Sequence, residues 1–121
     1  MFLVVADSNA LISVFRLSIN IDEALGRLLH SWKIIVPSPV LDELERLALT
    51  KTDAKGALAL AKRYEVVHSD EDADSAVLSV AKEKEGIVFT NDRNVLRNAK
   101  EAGIPRIYFR GKGVLAGDVP L

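Results

Sequence analysis

Residues 2–9 read FLVVADSN, and residues 87–92 read IVFTND. Each stretch is a short apolar run that ends in polar residues, as expected for a buried strand followed by a turn. Neither run alternates cleanly between apolar and polar side chains, which is typical of a parallel strand covered on both faces. These two stretches therefore predict an α/β fold whose polar residues collect at the carboxyl ends of the strands.

The rest of the chain repeats this alternation of short apolar runs and helical segments. Strands separated by helices predict a doubly wound parallel sheet. No element is predicted for the glycine-rich tail over residues 111–121. The predicted strands are Phe2–Ala6, Lys33–Val36, Glu65–His68, Ile87–Thr90 and Arg106–Phe109, and the predicted helices are Ser8–Arg16, Asp22–Ser31, Ser38–Leu47, Ala54–Arg63, Glu71–Glu85 and Arg93–Ala102.

The composition fits a single domain over residues 1–121. The chain is 49% hydrophobic and 27% charged, with a net charge of −1, which excludes a strongly basic coat for nucleic acid but not a local basic patch. It has no cysteine, so disulfides, thiolate nucleophiles and sulfur-ligated zinc are excluded. The apolar runs are shorter than the roughly 18 residues that span a bilayer. We therefore expect a cytoplasmic protein that does not bind membranes.

Four acidic residues lie where the predicted sheet would bring them to one edge. Asp7 and Asp92 follow strands, and Glu43 and Asp74 lie early in the segments that follow other strands. The carboxyl ends of parallel strands share one edge, and ligands bind there in such sheets. Clustered carboxylates need cations between them, and Mg²⁺ and Mn²⁺ are hard ions that prefer oxygen ligands. The sequence thus predicts a magnesium or manganese site at this edge.

Each acid also has a structural interpretation. Asp7 and Asp92 precede helices, and position alone does not separate a helix cap from a metal ligand. Asp74 falls on the flank of the apolar face of its helix, so it needs a partner, either an arginine or a metal. Glu43 and Glu45 border one apolar stripe, and Glu43 is preferred because it lies nearer the helix start. Four connections that each deliver an acid to one edge favour a common site.

In order and spacing, these segments resemble the PIN-domain ribonucleases. Four of them resemble the family's acidic motifs and a fifth its closing strand in archaeal and ribosome-processing branches; they are residues 4–9, 37–44, 72–78, 88–92 and 103–110. The acids of the four motifs fall on Asp7, Glu43, Asp74 and Asp92. One difference is Ser75, where the ribosome-processing branch often has a second aspartate.

The resemblance implies a three-layer α/β/α fold with a five-stranded parallel sheet in the order 3-2-1-4-5. The order reverses between strands 1 and 4, which carry Asp7 and Asp92, so the acids would lie at the topological switch point. It also implies a metal-dependent endoribonuclease that hydrolyses phosphodiester bonds of single-stranded RNA. Asp7 and Asp92 would hold Mg²⁺ or Mn²⁺ directly, and Glu43 and Asp74 would complete the site through water or a second ion.

Neighbouring side chains are assigned supporting roles on the same basis. Four polar residues would bond a carboxylate or the phosphate and so orient it: Ser8, Asn9, Thr90 and Asn91. Four basic residues would steer RNA phosphates toward the edge, although each is equally explained as a solvated surface charge: Lys51, Lys55, Arg93 and Arg97.

Other functions stay open at this point. A catalytically quiet RNA-binding or assembly module could keep the same fold. Within the enzyme class, the chain could be the toxin of a toxin–antitoxin pair. The expected partners are RNA, a second copy of the chain in a homodimer, and an antitoxin or a ribosome-assembly protein. Dinucleotide-binding and phosphate-loop enzymes fit less well, because the glycine motifs of both are missing.

Overall fold

The computed structural model describes residues 1–119. One six-stranded sheet in the order β3-β2-β1-β4-β5-β6 is its framework. The strands are β1 Phe2–Ala6, β2 Trp32–Pro37, β3 Glu65–Val67, β4 Ile87–Phe89, β5 Arg106–Phe109 and β6 Leu115–Gly117. The helices are α1 Ser8–Arg16, α2 Ile21–Gly26, α3 Ser38–Leu47, α4 Thr52–Ala61, α5 Ala73–Glu83 and α6 Arg93–Glu101.

Strand β1 lies in the middle of the sheet and sets its register. It pairs in parallel with β2 on one side and with β4 on the other. Its residues Val4, Val5 and Ala6 are fully buried, which explains why the strand is apolar on both faces. Ala6 lies opposite Phe89. The residues that follow these two, Asp7 and Thr90, therefore leave the sheet in the same row.

The helices cover both faces and complete a three-layer α/β/α fold. Helix α1 packs on α4, and α4 packs on α3, whereas α5 packs on β1, β2 and β4 and on α6. Right-handed crossovers place connections that run in opposite directions along the sheet on opposite faces. Among the helices of residues 1–119, none is long and apolar enough to cross a membrane.

The predicted order of the first five strands is confirmed, and the prediction of a five-stranded sheet is incomplete. Strand β6 pairs antiparallel with β5 and adds a sixth strand from the unassigned tail. The connecting loop contains Gly111 and Gly113, both with positive φ, which glycine adopts without strain. A three-residue strand after such a loop carries too little hydrophobic pattern to be predicted. Residues 120–121 of the tail lie outside the described residues.

Helices α2 and α5 are shorter than predicted. Helix α2 ends at Gly26 rather than Ser31, because the backbone N–H groups of Leu28 and Leu29 both bond to the carbonyl of Leu25 and tighten the chain into a turn. Helix α5 begins at Ala73 rather than Glu71, because Asp72 caps it. A glycine-ended turn and an acidic run both resemble helix in sequence, so only the backbone hydrogen bonds locate the true ends.

Candidate active site

The fold brings the four predicted acids to one edge of the sheet, which we call the acid edge. Asp7 follows β1 and Asp92 follows β4, the two strands at the centre of the sheet. Glu43 lies on α3 and Asp74 in the first turn of α5, and these helices pack against each other. Four different connections therefore supply the acids, and β1 and β4 mark the point where the strand order reverses.

Asp7 is the most buried acid of the site, with 4% of its surface exposed. It caps α1, and its Oδ1 accepts a hydrogen bond of 2.8 Å from the backbone N–H of Ala10. Its pKa is raised to about 7, chiefly by burial. Hydrogen bonds from Thr90 and Ala10 oppose this rise, and the nearby charges of Asp74 and Asp92 add to it. Asp7 thus caps α1, and its charged form is disfavoured by burial and by its acidic neighbours. A role as a helix cap is therefore compatible with a role as a metal ligand.

Thr90 joins the two strand-borne acids. It is completely buried, and its hydroxyl donates a hydrogen bond to Asp7 Oδ2. The same oxygen accepts a hydrogen bond of 3.0 Å from the backbone N–H of Asp92. One hydroxyl thus uses its donor and an acceptor lone pair to fix the spacing of the two acids. Thr90 was predicted to orient a carboxylate, and the geometry agrees with that role.

Asp92 caps helix α6. Its Oδ1 accepts hydrogen bonds from the backbone N–H groups of Asn94, at 2.8 Å, and Val95, at 3.2 Å. Its Oδ2 has no hydrogen-bond donor among the described residues. Asp92 therefore combines a fixed orientation with one oxygen that is free to bind a ligand.

Glu43 is held by a contact that singles it out from its acidic neighbours. The Ser8 hydroxyl donates a hydrogen bond to Glu43 Oε1, and Ser8 itself is buried next to Asp7. Glu43 is half-buried, whereas Asp42 and Glu45 are exposed. Burial and a hydrogen bond from the residue beside Asp7 therefore distinguish Glu43 from Glu45 in the structure.

Asp74 was expected on the flank of the apolar face of its helix, turned toward the core. The structure instead exposes its side chain. The residue lies at the second position of a helix that begins at Ala73. No arginine pairs with it in residues 1–119. Its pKa is nonetheless raised, first by partial desolvation and then by the charges of Asp92 and Glu43. The four acids therefore repel one another as one electrostatic group.

Two residues that were predicted to bond a carboxylate or the phosphate form no hydrogen bond to a site acid among the described residues. The Asn9 side chain is exposed and makes no hydrogen bond within residues 1–119. Asn91 Oδ1 accepts a hydrogen bond of 2.7 Å from the backbone N–H of Phe109, so it ties β4 to β5 instead of bonding an acid. Position in the motif could not reveal this, because a neighbouring strand supplies the partner.

The predicted basic residues are all exposed on two helices. Lys51 and Lys55 lie at the start of α4, and Arg93 and Arg97 lie on α6, directly after Asp92. Sequence reasoning did not assign a role to the basic residues of the loop between β5 and β6. The signal for them was present, since residues 110–113 read RGKG.

The donor set fits a hard divalent cation, although the carboxylates are not gathered around one point. Within residues 1–119, no three acidic or histidine side chains lie close enough to hold one ion together. Caps and hydroxyl contacts instead orient Asp7, Asp92 and Glu43. Each carboxylate oxygen has two lone pairs, so these contacts still leave acceptor capacity. An all-oxygen donor set with mutual repulsion is the chemistry that Mg²⁺ or Mn²⁺ would neutralise.

Sequence relatives indicate the family of this chain. Residues 4–112 match the family model described as a PIN-like domain. Ribonuclease VapC4 of Methanocaldococcus jannaschii is 40% identical over 123 residues, which cover 93% of each chain. Ribonuclease VapC9 of Archaeoglobus fulgidus is 30% identical over 113 residues, which cover 88% of this chain and 82% of the relative.

Solved structures show the same fold. The PIN domain endonuclease Utp24 superposes with a TM-score of 0.82 at 23% identity, covering 98% of this chain and 92% of the other. A domain of a functionally unknown protein from Methanocaldococcus jannaschii gives a TM-score of 0.67, also at 23% identity, and covers 100% and 98% of the two chains. At this identity the similarity establishes the three-layer fold alone.

Proposed function

This chain belongs to the PIN-like domain family and is a ribonuclease, and we propose that it is an endoribonuclease that hydrolyses single-stranded RNA at the acid edge with a divalent cation. The observation that carries the proposal is the convergence of four acids, from four separate connections, at the switch point of the sheet. The charges of neighbouring carboxylates raise the pKa of Asp7 and of Asp74, so a bound cation would stabilise their ionised forms.

Asp7 and Asp92 would hold Mg²⁺ or Mn²⁺ directly, and Glu43 and Asp74 would complete the site. When bound, such an ion polarises the scissile phosphate and lowers the pKa of a bound water. The chain itself supplies orientation. Thr90 fixes Asp7 relative to Asp92, and caps on α1 and α6 hold both carboxylates in place.

Glu43 is oriented by the residue beside Asp7. The hydrogen bond from Ser8 occupies Oε1 and leaves Oε2 without a donor in the described part of the chain. A carboxylate held by one oxygen can accept a hydrogen bond from a water molecule with the other. In this proposal Glu43 binds a water next to the RNA phosphate through Oε2, a role not assigned to Glu45, which is exposed on the same helix.

Cleavage of a mixed RNA pool in Mn²⁺ or Mg²⁺ tests this function. Asp7→Asn should abolish cleavage. Asp72→Asn is the matched control, because Asp72 also caps a helix through a 2.8 Å backbone hydrogen bond but lies on the exposed start of α5. The control should cleave within about threefold of wild type, roughly 0.6 kcal/mol in barrier. Equal cleavage by wild type and Asp7→Asn would refute the assignment of the acid edge.

The preference for single-stranded RNA has its own test. A domain of this size offers no evident surface that reaches across successive grooves of an RNA duplex. A loop should therefore be cut faster than a duplex of the same sequence. Equal rates on the two substrates would show that the preference is wrong while leaving the nuclease assignment intact.

A second candidate role is that of the toxin in a toxin–antitoxin pair. The shared name of the two relatives, ribonuclease VapC, favours this role over the catalytically quiet module. Expression of wild type, but not of Asp7→Asn, should then arrest growth of a bacterial host. Coexpression of a small protein encoded beside this gene should relieve the arrest. Growth unaffected by the active enzyme would argue for RNA processing instead. Homodimer formation stays a prediction.

A further inference from the structure

The loop between β5 and β6 projects two cations beyond the sheet. We call residues Arg110–Val114 the basic hairpin. The backbone N–H of Arg110 donates a hydrogen bond of 2.8 Å to the carbonyl of Val114, which closes the loop. Gly111 and Gly113 have φ of 72° and 81°. Both glycines lie in open space, with no atom close to the position of a side chain. The side chains of Arg110 and Lys112 are exposed.

The start of the basic hairpin is joined to the loop that carries Asp92. Strands β4 and β5 run in parallel with Phe89 opposite Ile107. The hydrogen bond from the Phe109 backbone N–H to Asn91 Oδ1 continues this pairing past the end of β4. Arg110 follows Phe109, which is hydrogen-bonded to Asn91, the residue before Asp92. Adjacent strands are about 4.8 Å apart. The position of the hairpin is fixed by the same loop that carries a site acid.

Charge is distributed unequally around the acid edge. On the β5 side, Arg110 and Lys112 have no carboxylate partner among residues 1–119, and the same holds for Arg93 and Arg97. On the opposite side, the connection from β3 to α5 adds three more acids and no base before Asp74, since residues 69–73 read SDEDA. A polyanion is repelled by the second side and attracted by the first. RNA that reaches the acid edge should therefore extend over the β5 side.

We propose that the basic hairpin, through Arg110 and Lys112, binds the phosphodiester backbone of RNA on nucleotides next to the cleaved bond. This inference rests on the proposed function of the acid edge and assigns it a substrate-binding surface. Gly111 and Gly113 add no side chains beside the two cations, so a phosphate backbone can approach Arg110 and Lys112 closely. Contacts with phosphates position RNA without reading its sequence.

Binding of a labelled oligouridine of about twelve nucleotides, followed by fluorescence anisotropy in EDTA, tests the proposal without cleavage. Arg110→Ala/Lys112→Ala should weaken binding by roughly three- to tenfold and reduce the slope of log affinity against log salt by about 1.4, which corresponds to two lost phosphate contacts. The swap Arg110→Lys/Lys112→Arg should retain the wild-type slope, because it keeps both charges.

Lys62→Ala/Arg63→Ala provides the matched control. These two cations are exposed, carry the same charge, and lie between α4 and β3, at the amino end of the sheet. Their removal should leave the slope unchanged. An equal loss in both variants would show a general charge effect and overturn the proposal. An unchanged slope in the hairpin variant, or no RNA binding by wild type, would also overturn it.

Cleavage kinetics separate this inference from the function on which it rests. The hairpin variant should raise KM, whereas Asp7→Asn should abolish kcat. If Asp7→Asn cleaves normally and the hairpin variant still loses its salt slope, the basic hairpin binds RNA but the acid edge is not the catalytic site. If Asp7→Asn is inactive and the hairpin variant binds and cleaves like wild type, the catalytic site stands and the hairpin proposal fails.

Discussion

Asp7 and Asp92 leave the ends of adjacent strands and bond the backbone of the helices that they begin, whereas Glu43 and Asp74 project from helix surfaces. Every oxygen of Asp7 is bonded, and Thr90 ties it to the Asp92 backbone. Asp74 has no hydrogen bond to its carboxylate among residues 1–119. Backbone and hydroxyl contacts thus fix the strand-borne half of the acid edge. In the helix-borne half, one hydrogen bond from Ser8 holds Glu43, and Asp74 is left adjustable.

This difference has a functional meaning. A site that must bind a cation and a phosphate in a defined geometry benefits from ligands that are held before binding. The strand-borne half supplies such ligands. The helix-borne half lies nearer to solvent, where it can exchange water and accommodate the substrate. We therefore expect substitutions in the two halves to have unequal costs.

The largest effect should distinguish the two halves directly. Asp92→Asn keeps the helix cap, since asparagine also caps, but removes a proposed cation ligand, and it should lower kcat/KM by about a hundredfold or more, roughly 2.7 kcal/mol. Glu43→Gln should cost about tenfold, roughly 1.4 kcal/mol. Glu45→Gln, on the same helix, should stay within about threefold. Steady-state cleavage assays give all three values.

A reversed ranking would break the comparison. If Glu43→Gln were as damaging as Asp92→Asn, the helix-borne half would hold the cation as firmly as the strand-borne half. If Glu45→Gln cost about a hundredfold, the wrong glutamate of α3 would have been assigned.

A smaller effect is expected from loosening the strand-borne half. Thr90→Val removes the hydroxyl and leaves Asp7 Oδ2 and the Asp92 backbone N–H without their partner. We expect the free energy of unfolding to fall by about 1–3 kcal/mol, the usual cost of unsatisfied buried groups. Cleavage should fall along with it. Thr90→Ser keeps the hydroxyl and should retain most of both. Urea melts and cleavage assays of the two variants measure this.

The outcome that would sharpen the account most is a separation of stability from activity. A Thr90→Val protein that is less stable but cleaves at the wild-type rate would mean that the hydroxyl only satisfies buried groups. It would then have no part in positioning Asp7 for catalysis.

The smallest effect should appear in the pH dependence of stability without metal. The pKa of Asp7 is raised to about 7 in the folded protein, so the folded state binds a proton more tightly than the unfolded state. The stability contributed by neutral Asp7 is fully present below about pH 4 and is lost as pH rises through about 7. Asp7→Asn lacks this loss and should be more stable than wild type above pH 7, by roughly 0.5–2 kcal/mol.

Urea melts in EDTA at several pH values measure the difference between the two proteins. Comparison of wild type with Asp7→Asn cancels the contributions of other titrating groups. A mutant that is less stable than wild type at every pH would indicate that Asp7 acts chiefly as a helix cap that asparagine replaces only in part.

The two halves also differ in how well the sequence predicts them. Asp7 and Asp92 follow apolar runs, so the topology of a parallel sheet places them without knowledge of any side chain. Glu43 and Asp74 depend on helix phase and helix start. The helical wheel placed Asp74 beside the apolar face but could not show that α5 begins at Ala73 and leaves it exposed.

Contacts between elements far apart in the chain could not be predicted from the sequence for a similar reason. The fully buried Thr90 and the Ser8–Glu43 hydrogen bond depend on which rotamer each side chain takes once the strands have paired. Strand β6 pairs with β5 through a hairpin that contains two positive-φ glycines. This short, glycine-rich segment has no hydrophobic pattern that would predict a strand. The residues proposed for the site can therefore be named from the sequence, whereas the hydrogen-bond partners that orient them depend on packing.

The most direct test of the cation-binding acid edge is calorimetric titration of Mn²⁺ into three proteins. Wild type should bind, and Asp7→Asn/Asp92→Asn should lose at least about tenfold in affinity, about 1.4 kcal/mol. Asp42→Asn/Asp72→Asn removes the same charge from exposed residues beside the site acids and should bind within about threefold of wild type. Equal Mn²⁺ affinity in wild type and Asp7→Asn/Asp92→Asn would contradict the account.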